Sequence, residues 1–295
     1  MDPAARDRVL EMETDFKDKI GRHILSLPIA SAQFKNFSTS PYVLLFQSLK
    51  RNYSLISEIE SDVLPAKVFS SMETSAGRMI EEVVLPYYGW ECVASEMHSA
   101  NSALDGKKID AEPVEVVTLK SGPRCLNDEM AENFADSILN NVEAWAEGHN
   151  RIRFTYGVLY GTEKQSNKKD WHILRNIEDK IANFGGEMLE SPNGQWHCAF
   201  RLGELEAEVT IRVGGQWWSF LGGNDCALEV WSALIRACVL PGQEDDADHE
   251  YEIIDLSDIV STSNVSRFYN VSLLQQSQLP WLFLVARHFC DQLVD

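Results

Sequence analysis

The stretch that decides the fold is Leu104-Asp-Gly-Lys-Lys-Ile-Asp-Ala-Glu-Pro-Val-Glu-Val-Val-Thr-Leu-Lys-Ser-Gly-Pro123. Its second half is rich in β-branched residues and predicts a strand over 114–120, which Ser121-Gly-Pro123 ends. A hairpin turn around residues 110–113 would place Asp105 across from Lys120 on the neighbouring strand. Since side chains alternate along a strand, residues 118 and 120 point to one face. The pattern therefore brings a carboxylate and a lysine to one end of the hairpin.

This end of the hairpin has the chemistry to hydrolyse a phosphodiester. Asp105 and a backbone carbonyl near Leu119 are the oxygen ligands that Mg²⁺ prefers, with waters completing the shell. Lys120 can hold or help to deprotonate the attacking water, while the metal neutralises charge on the phosphate. Asp110 is an alternative to Asp105, although it leaves a much shorter hairpin to Lys120. Asp105-Gly106 could also be no more than a turn, because this pair is frequent in turns.

The segment 104–123 resembles the core of the PD-(D/E)XK nucleases, and specifically type II restriction endonucleases with a (Ser/Thr)-(Ile/Leu)-Lys-(Ser/Ala)-Gly-Pro signature. Other blocks resemble the subgroup that cuts interrupted GG-N-CC-type sites: Phe37-Ser-Thr-Ser-Pro41, Gly77-Arg-Met-Ile-Glu-Glu-Val-Val-Leu-Pro86, Gly157-Val-Leu-Tyr-Gly161 and His172-Ile-Leu-Arg-Asn176. The resemblance covers roughly residues 35–185. It implies a sequence-specific, Mg²⁺-dependent endonuclease that cuts double-stranded DNA.

One position departs from this family pattern. Residue 118 is Thr, which could at most hold a water, where the superfamily motif has Asp or Glu. The resemblance implies that a helix then supplies the second carboxylate, and Glu81 is the best candidate. Its neighbour Glu82 points about 100° away on a helix, so we expect only one of the two to face the site. Two carboxylates of the next predicted helix rank below Glu81: Glu129 and Glu132.

Basic residues near the predicted strand ends are candidates for DNA contact. Arg124 follows the strand and could reach a phosphate. A cluster near the next helix could contact phosphates or bases: Lys164, Lys168, Lys169 and Arg175. Gln165 and Asn167 lie in the same loop and have side chains suited to adenine. A solvated polar loop has the same composition, so both interpretations stay open.

At first sight, the net charge argues against a nucleic-acid partner. The chain has 295 residues, 26 Lys+Arg against 45 Asp+Glu, a net charge of −19 and a pI near 4.7. DNA, however, responds to the local field of a cleft. The acidic excess lies mainly at 55–62, 128–147 and 243–250. Basic residues are expected to gather around the site, at 107–108, 120–124, 151–153 and 164–175.

Hydrophobic periodicity indicates the order of the elements. It predicts helices over 5–28, 42–64, 78–85, 127–145, 171–184, 225–239 and 279–293, the third ended by Pro86. It predicts strands over 90–96, 114–120, 152–160, 195–200 and 205–213. Met130, Phe134, Ile138, Val142 and Trp145 should share the inward face of the fourth helix. Trp217 and Trp218 are expected in the core.

This order predicts an α/β (mixed α+β) fold with a mixed central sheet flanked by helices. The resemblance implies that this sheet forms a restriction-endonuclease-like core. Helical elaborations would extend both ends. One elaborated domain, 1–295, would comprise a helical part (1–70), the nuclease core (71–185) and C-terminal strands and helices (186–295). No stretch approaches the ~18 apolar residues of a membrane span. The charged N-terminus and scattered cysteines predict a cytoplasmic protein with buried thiols.

The expected function is that of a type II restriction endonuclease. A two-fold target would be matched by a homodimer, each subunit cutting one strand. The family also implies a cognate DNA methyltransferase that protects the host's DNA. Two alternatives remain: a catalytically weak or inactive nuclease-fold interaction protein, and a DNA repair nuclease of the same fold.

Overall fold

The computed structural model describes residues 3–27, 41–51, 55–93, 103–166 and 168–239. The helices are α1 (Pro3–Ser26), α2 (Pro41–Arg51), α3 (Ile56–Tyr87), α4 (Asp128–Trp145), α5 (Lys169–Lys180), α6 (Gly215–Gly222) and α7 (Cys226–Val239). The strands are β1 (Glu91–Cys92), β2 (Gly106–Lys108), β3 (Val114–Lys120), β4 (Arg151–Val158), β5 (Glu187–Glu190), β6 (His197–Leu202) and β7 (Leu205–Val213). None of the helices in these ranges is long and apolar enough to cross a membrane.

One mixed sheet of seven strands organises the described part of the chain. The strand order is β1-β2-β3-β4-β7-β6-β5. The three central strands, β3, β4 and β7, run parallel, and the strands outside them pair antiparallel. The predicted mixed sheet flanked by helices is therefore confirmed. Since the central strands are parallel, their carboxyl ends meet at one edge, where β3 ends at Lys120 beside Val158 of β4.

Helices cover both faces of the sheet. One face packs on α4 and α5, and β3 contributes Val114 and Val116 to this core. The other face packs on α1, α3, α6 and α7, and β3 contributes Val117 and Leu119. This alternation is what a strand buried on both sides requires. Helices α1 and α7, from the two ends of the described chain, therefore share one hydrophobic core with β3.

Helix α3 differs from the prediction. The sequence predicted a break between residues 64 and 78, whereas α3 runs unbroken over 32 residues and contains Pro65. A proline removes one helical N–H and crowds the preceding turn, which makes its place inside a helix unusual. The predicted stop near Pro86 agrees with the structure, since α3 ends at Tyr87. Just before this end, Val83, Val84 and Leu85 are buried against the sheet.

Helix α4 begins as predicted and is rotated slightly from its predicted orientation. Asn127 is the N-cap, and its Oδ1 accepts a hydrogen bond from the Met130 N–H at 2.7 Å. Met130, predicted to face inward, is 45% exposed. The inward positions are instead Ala131 and Ala135, followed by the correctly predicted Ile138, Val142 and Trp145. Small alanine side chains let this end of the helix approach the sheet closely.

Other predictions have mixed outcomes. Strand β7 has the predicted bounds, whereas β5 and α6 were not predicted. Trp217 and Trp218 are buried, as expected. Of the cysteines predicted to be buried thiols, Cys198 and Cys226 are buried, while Cys92 and Cys125 are exposed. The predicted helix 279–293, the acidic stretch 243–250 and residues 37–40 lie outside the described residues.

Candidate active site

Asp105 is fixed by the sheet just before β2. Its backbone N–H donates to the Val117 carbonyl at 2.8 Å, and its carbonyl accepts from the Val93 N–H at 3.0 Å. Gly106 pairs with the same Val117. A Cβ on Gly106 would lie 2.9 Å from Leu85 Cδ1, so glycine allows α3 to approach β2. Asp105-Gly106 is therefore part of the sheet, and the alternative that it is merely a turn is wrong.

The Asp105 carboxylate is oriented by two donors from β3. Its Oδ2 accepts from the Leu119 N–H at 2.6 Å and from the Thr118 hydroxyl at 3.0 Å. No hydrogen bond to Oδ1 occurs within the described ranges, so this oxygen is available to a ligand. Thr118, expected at most to hold a water, is 2% exposed and positions Asp105. The Asp105 carboxylate is thus hydrogen-bonded to residues 118 and 119, whereas the prediction placed Asp105 opposite Lys120.

Lys120 is the last residue of β3. Its carbonyl accepts from the Leu159 N–H at 2.9 Å, which fixes its backbone beside the end of β4. Its Nζ lies 6.0 Å from the centre of the Phe134 ring on α4. The side chain is partly exposed, and it makes no salt bridge with any residue that the structure describes. The ammonium group therefore stands beside an aromatic ring with hydrogen-bonding capacity left for a ligand.

Helix α3 brings Glu81 to this site. A Cβ on Gly77, one turn earlier, would lie 3.3 Å from Ser121 Cβ, which shows how closely α3 packs beside the residue that follows Lys120. Burial raises the pKa of Glu81 to about 7, and the negative charge of Asp105 adds to this rise. The positive charge of Lys120 lowers the same pKa. Glu81, Asp105 and Lys120 are thus close enough to interact electrostatically.

The neighbouring carboxylate, Glu82, faces away from the site. It accepts hydrogen bonds from Lys19 and from Arg78 Nε, the latter at 2.7 Å. These bonds, the one from Lys19 foremost, lower the pKa of Glu82. Adjacent residues on one helix turn therefore have opposite shifts in pKa. The prediction that only one of them faces the site agrees with this geometry.

The other candidate carboxylates lie elsewhere. Glu129 is exposed on α4, and Glu132 forms a salt bridge with Lys180 at 2.9 Å. Asp110 is exposed in the turn between β2 and β3, at the other end of the hairpin from Lys120. The geometry therefore favours Asp105 over Asp110 and Glu81 over the α4 carboxylates.

The donor atoms at this edge fit a magnesium ion. They comprise the available Oδ1 of Asp105, the Glu81 carboxylate, and the Leu119 carbonyl, which faces the same strand edge as its own N–H. Two carboxylates that repel each other gain from a cation between them, and an all-oxygen set suits Mg²⁺. Within the described residues no cluster of three or more His, Cys, Asp or Glu side chains could hold a metal. Waters would therefore have to complete the shell.

The predicted DNA-binding residues lie in the loops that follow β3 and β4 and on α5. Arg124 is exposed, has a φ of 70°, and donates from Nε to the Gln165 carbonyl at 2.8 Å, which links the two loops. Lys164 and Lys168 are exposed. Lys169 pairs with Asp128, and Arg175 lies 3.8 Å from Asp179. Asn167 lies outside the described residues.

One of the four basic stretches does not lie around the site. Residues 151–153 are at the opposite end of the sheet, because Val114 pairs with Ile152 there. At ~3.3 Å per strand residue, that end is about 20 Å from Lys120. Lys107 and Lys108 lie on β2, where they are in register with Val116 and Glu115, and Lys107 is two residues from Asp105. Lys107 pairs with Glu147 at 3.2 Å, and Lys108 stacks on the Trp90 ring at 4.7 Å. The prediction that all four stretches gather around the site is wrong.

Three further cations, which no sequence prediction named, lie beside the site. Lys19, Arg22 and Arg78 line a cleft between α1 and α3. Their only signal in the sequence is the three-residue spacing of Lys19 and Arg22, which puts both on one side of a helix. That α1 packs against α3 is decided by tertiary contacts, and no local pattern encodes it.

Three sequence blocks on which the predicted family resemblance rests lie in the described structure: Gly77–Pro86 in α3, Gly157–Gly161 at the end of β4 and His172–Asn176 in α5. Gly157 has a steric role, since a Cβ there would lie 2.5 Å from Trp217 Cε3 and 2.7 Å from Leu119 Cδ2. No protein-family model matches the chain, and no curated protein matches it. Its function has therefore to be inferred from the geometry of the site.

Proposed function

We propose that the chain is a sequence-specific, Mg²⁺-dependent type II restriction endonuclease that hydrolyses phosphodiester bonds in double-stranded DNA. One observation carries the proposal: Glu81 lies within electrostatic reach of Asp105 and Lys120 at the carboxyl end of β3, and its pKa is raised to about 7 by burial and by Asp105. A carboxylate with a perturbed pKa beside a lysine that has no salt bridge in the described structure is typical of catalytic sites. The Lys-Ser-Gly-Pro sequence that follows the strand adds the family resemblance.

Each residue has a distinct role in this proposal. Hydrogen bonds from Leu119 and Thr118 hold Asp105 so that its Oδ1 and the Glu81 carboxylate could bind the metal. Bound Mg²⁺ would neutralise charge on the phosphate and acidify a coordinated water. Lys120 donates a hydrogen bond that holds the attacking water and stabilises the charge that develops on the phosphate. Glu81 accepts hydrogen bonds from the waters of the site and orders them.

The remaining parts of the proposal concern partners. The loops that carry Arg124, Lys164 and Lys168 follow β3 and β4, and the position of their cations beside the strand ends supports a contact with the DNA backbone. A homodimer would match a two-fold symmetric target and cut both strands. A cognate methyltransferase would protect the host's DNA by modifying the same sequence.

A cleavage assay tests this function. Plasmid and phage DNA of varied sequence are incubated with the protein in Mg²⁺ or in EDTA. We expect discrete fragments with Mg²⁺ and intact DNA with EDTA. Asp105→Asn should abolish cleavage, whereas Asp110→Asn, the matched change at the other candidate aspartate, should leave it unchanged.

Each contrary outcome has a definite meaning. Loss of cleavage in Asp110→Asn with retention in Asp105→Asn would contradict the assigned site. DNA binding by the parent without any cleavage would favour an inactive nuclease-fold interaction protein. Metal-dependent degradation without discrete fragments would favour a repair nuclease of the same fold.

A further inference from the structure

A cleft of about 280 Å³ lies between α1 and α3. It is lined by Lys19, Arg22, His23, Ser75, Arg78, Met79 and Glu82. Three of these side chains are permanent cations and one is a carboxylate. In a chain with a net charge of −19, this cleft is a local concentration of positive charge. An anion responds to such a local field more than to the net charge.

The cations of the cleft are held by contacts that an anion can replace. Glu82 serves both Lys19 and Arg78, so one carboxylate faces two positive charges. Arg22 pairs with Asp18 on its own helix. The Arg78 and Arg22 side chains are 77% and 68% exposed, and ion pairs at such exposure are weak. His23 adds a buried Nε2 atom with no hydrogen-bond partner among the described residues.

The cleft adjoins the candidate active site. Arg78 precedes Glu81 by three residues on α3, and its charge lowers the pKa that burial and Asp105 raise. From α1, the positive charge of Lys19 acts to lower the pKa of Cys92. The Cys92 Sγ lies 3.7 Å from the Glu81 carbonyl oxygen. The cations therefore lie within electrostatic reach of the carboxylates that would hold the metal.

We propose that this cleft binds a backbone phosphate of the DNA strand being cut, next to the phosphate that is hydrolysed. The inference rests on the proposed function and adds a contact surface that the sequence did not indicate. When DNA binds, Arg78 and Lys19 release their hydrogen bonds to Glu82 and donate to the phosphate instead. The planar guanidinium and the ammonium are then charge-assisted donors. Until DNA binds, Glu82 keeps both cations in position and competes with the phosphate. Ser75 and His23 supply further polar groups at the same place.

The salt dependence of DNA binding tests the cleft. The duplex is one that the parent cuts, and EDTA replaces Mg²⁺ so that binding is measured without cleavage. For Lys19→Ala/Arg78→Ala we expect a dissociation constant at least tenfold higher, and a plot of log K against log [salt] whose slope is smaller by about 0.9, the value for one phosphate. The matched control is Lys180→Ala/Arg201→Ala, which removes two carboxylate-paired cations outside the cleft. It should keep the slope of the parent.

A second variant is expected to act in the opposite direction. Glu82→Gln removes the competing carboxylate and keeps the shape, so the duplex should bind several-fold more tightly. A purely structural role of Glu82 would predict no such gain. Circular dichroism and melting temperature, measured for every variant, show whether α1 and α3 still pack.

The outcomes separate the inference from the proposed function. If the parent neither binds nor cuts duplex DNA, the proposed function fails and the assignment of the cleft fails with it. If the parent cuts but both cleft variants behave like the control, only the cleft is overturned. Titration with inorganic phosphate distinguishes the other source of the anion. Phosphate binding that needs Lys19 and Arg78, together with an unchanged salt slope for DNA, would assign the cleft to free anions and overturn the proposal.

Discussion

The two ends of β3 carry the same kinds of charged groups in opposite states. At the start of the strand, Arg153 of β4 donates to Glu115 and to Glu208, both at 3.0 Å. Burial alone would lower the pKa of Arg153, but these two carboxylates outweigh it and the pKa is raised. At the end of the strand, Lys120 has no salt bridge in the described structure, and burial raises the pKa of Glu81.

This difference separates a stabilising network from a site with ligand-binding capacity. Where each charge has its partner, the ion pairs stabilise the sheet, and few hydrogen-bonding groups remain to bind a ligand. Where carboxylates repel each other beside an unpaired lysine, the folded chain carries an electrostatic cost that a metal and a phosphate would relieve. Stability and function thus have opposite requirements on one strand, and substitutions at its two ends should have opposite consequences.

The largest effect is expected from Lys120→Ala. Removing the group that holds the water and stabilises the developing charge should slow DNA cleavage by about 10³-fold. The melting temperature should change little, because Lys120 pairs with no carboxylate among the described residues. Plasmid cleavage rates and thermal melts measure the two quantities. Arg201→Ala at the other end of the sheet is the control, and equal cleavage by Lys120→Ala and the parent would contradict the mechanism.

Glu81→Gln should change how stability depends on pH. A carboxyl group with a raised folded-state pKa contributes stability below its unfolded value of 4.5 and loses it as pH rises to about 7. Glutamine does not titrate, so this loss is absent from the variant. Between pH 4.5 and pH 8, its free energy of unfolding should rise relative to that of the parent by up to about 3 kcal/mol. Urea unfolding across this range measures the gain.

Glu82→Gln is the matched comparison for that experiment. The pKa of Glu82 is lowered, so its contribution to stability is present above the unfolded value and is lost as pH falls. Glu82→Gln should therefore differ from the parent most at neutral pH and least at acid pH. If the free energy of unfolding depends on pH in the same way for the two variants, Glu81 does not have the raised pKa that its burial and Asp105 imply.

Arg153→Ala tests the paired end. Two carboxylates lose their shared partner, so the free energy of unfolding should fall by about 2 kcal/mol. DNA cleavage per folded molecule should stay unchanged, since Arg153 is in register with Glu115, five strand residues or about 17 Å from Lys120. Arg201→Ala in an exposed network on β6 should lower the free energy of unfolding less than Arg153→Ala does. A loss of cleavage with full stability would reverse the distinction between the two ends.

Thr118→Val should have the smallest effect. It removes one hydrogen bond to the Asp105 carboxylate, which is worth about 1 kcal/mol and corresponds to a roughly fivefold slower cleavage. Thr118→Ser keeps the hydroxyl and should restore the rate. Thr155→Val is the control, because the Thr155 hydroxyl is buried on β4 without a partner among the described residues. If Thr118→Val cleaves like the parent, Thr118 does not position Asp105.

Local patterns determined much of this protein. The β-branched run predicted β3 with its observed bounds, and the Asn127 cap predicted the start of α4, because both signals act between residues close in the chain. The same stretch indicated Asp105 and Lys120, since a hairpin of known length brings its two ends together. Helical geometry indicated that Glu81 and Glu82 must differ in what they face.

Tertiary structure alone decided the remaining features. Helix α3 continues through Pro65, and its packing beside Ser121 delivers Glu81 to the end of β3. The parallel register puts Arg151 and Arg153 at the far end of the sheet, although they are as basic as the residues beside the site. The contact of α1 with α3 creates the cationic cleft from residues about 60 positions apart. Burial and distance set the charge state of each group, and both depend on which distant segments pack together.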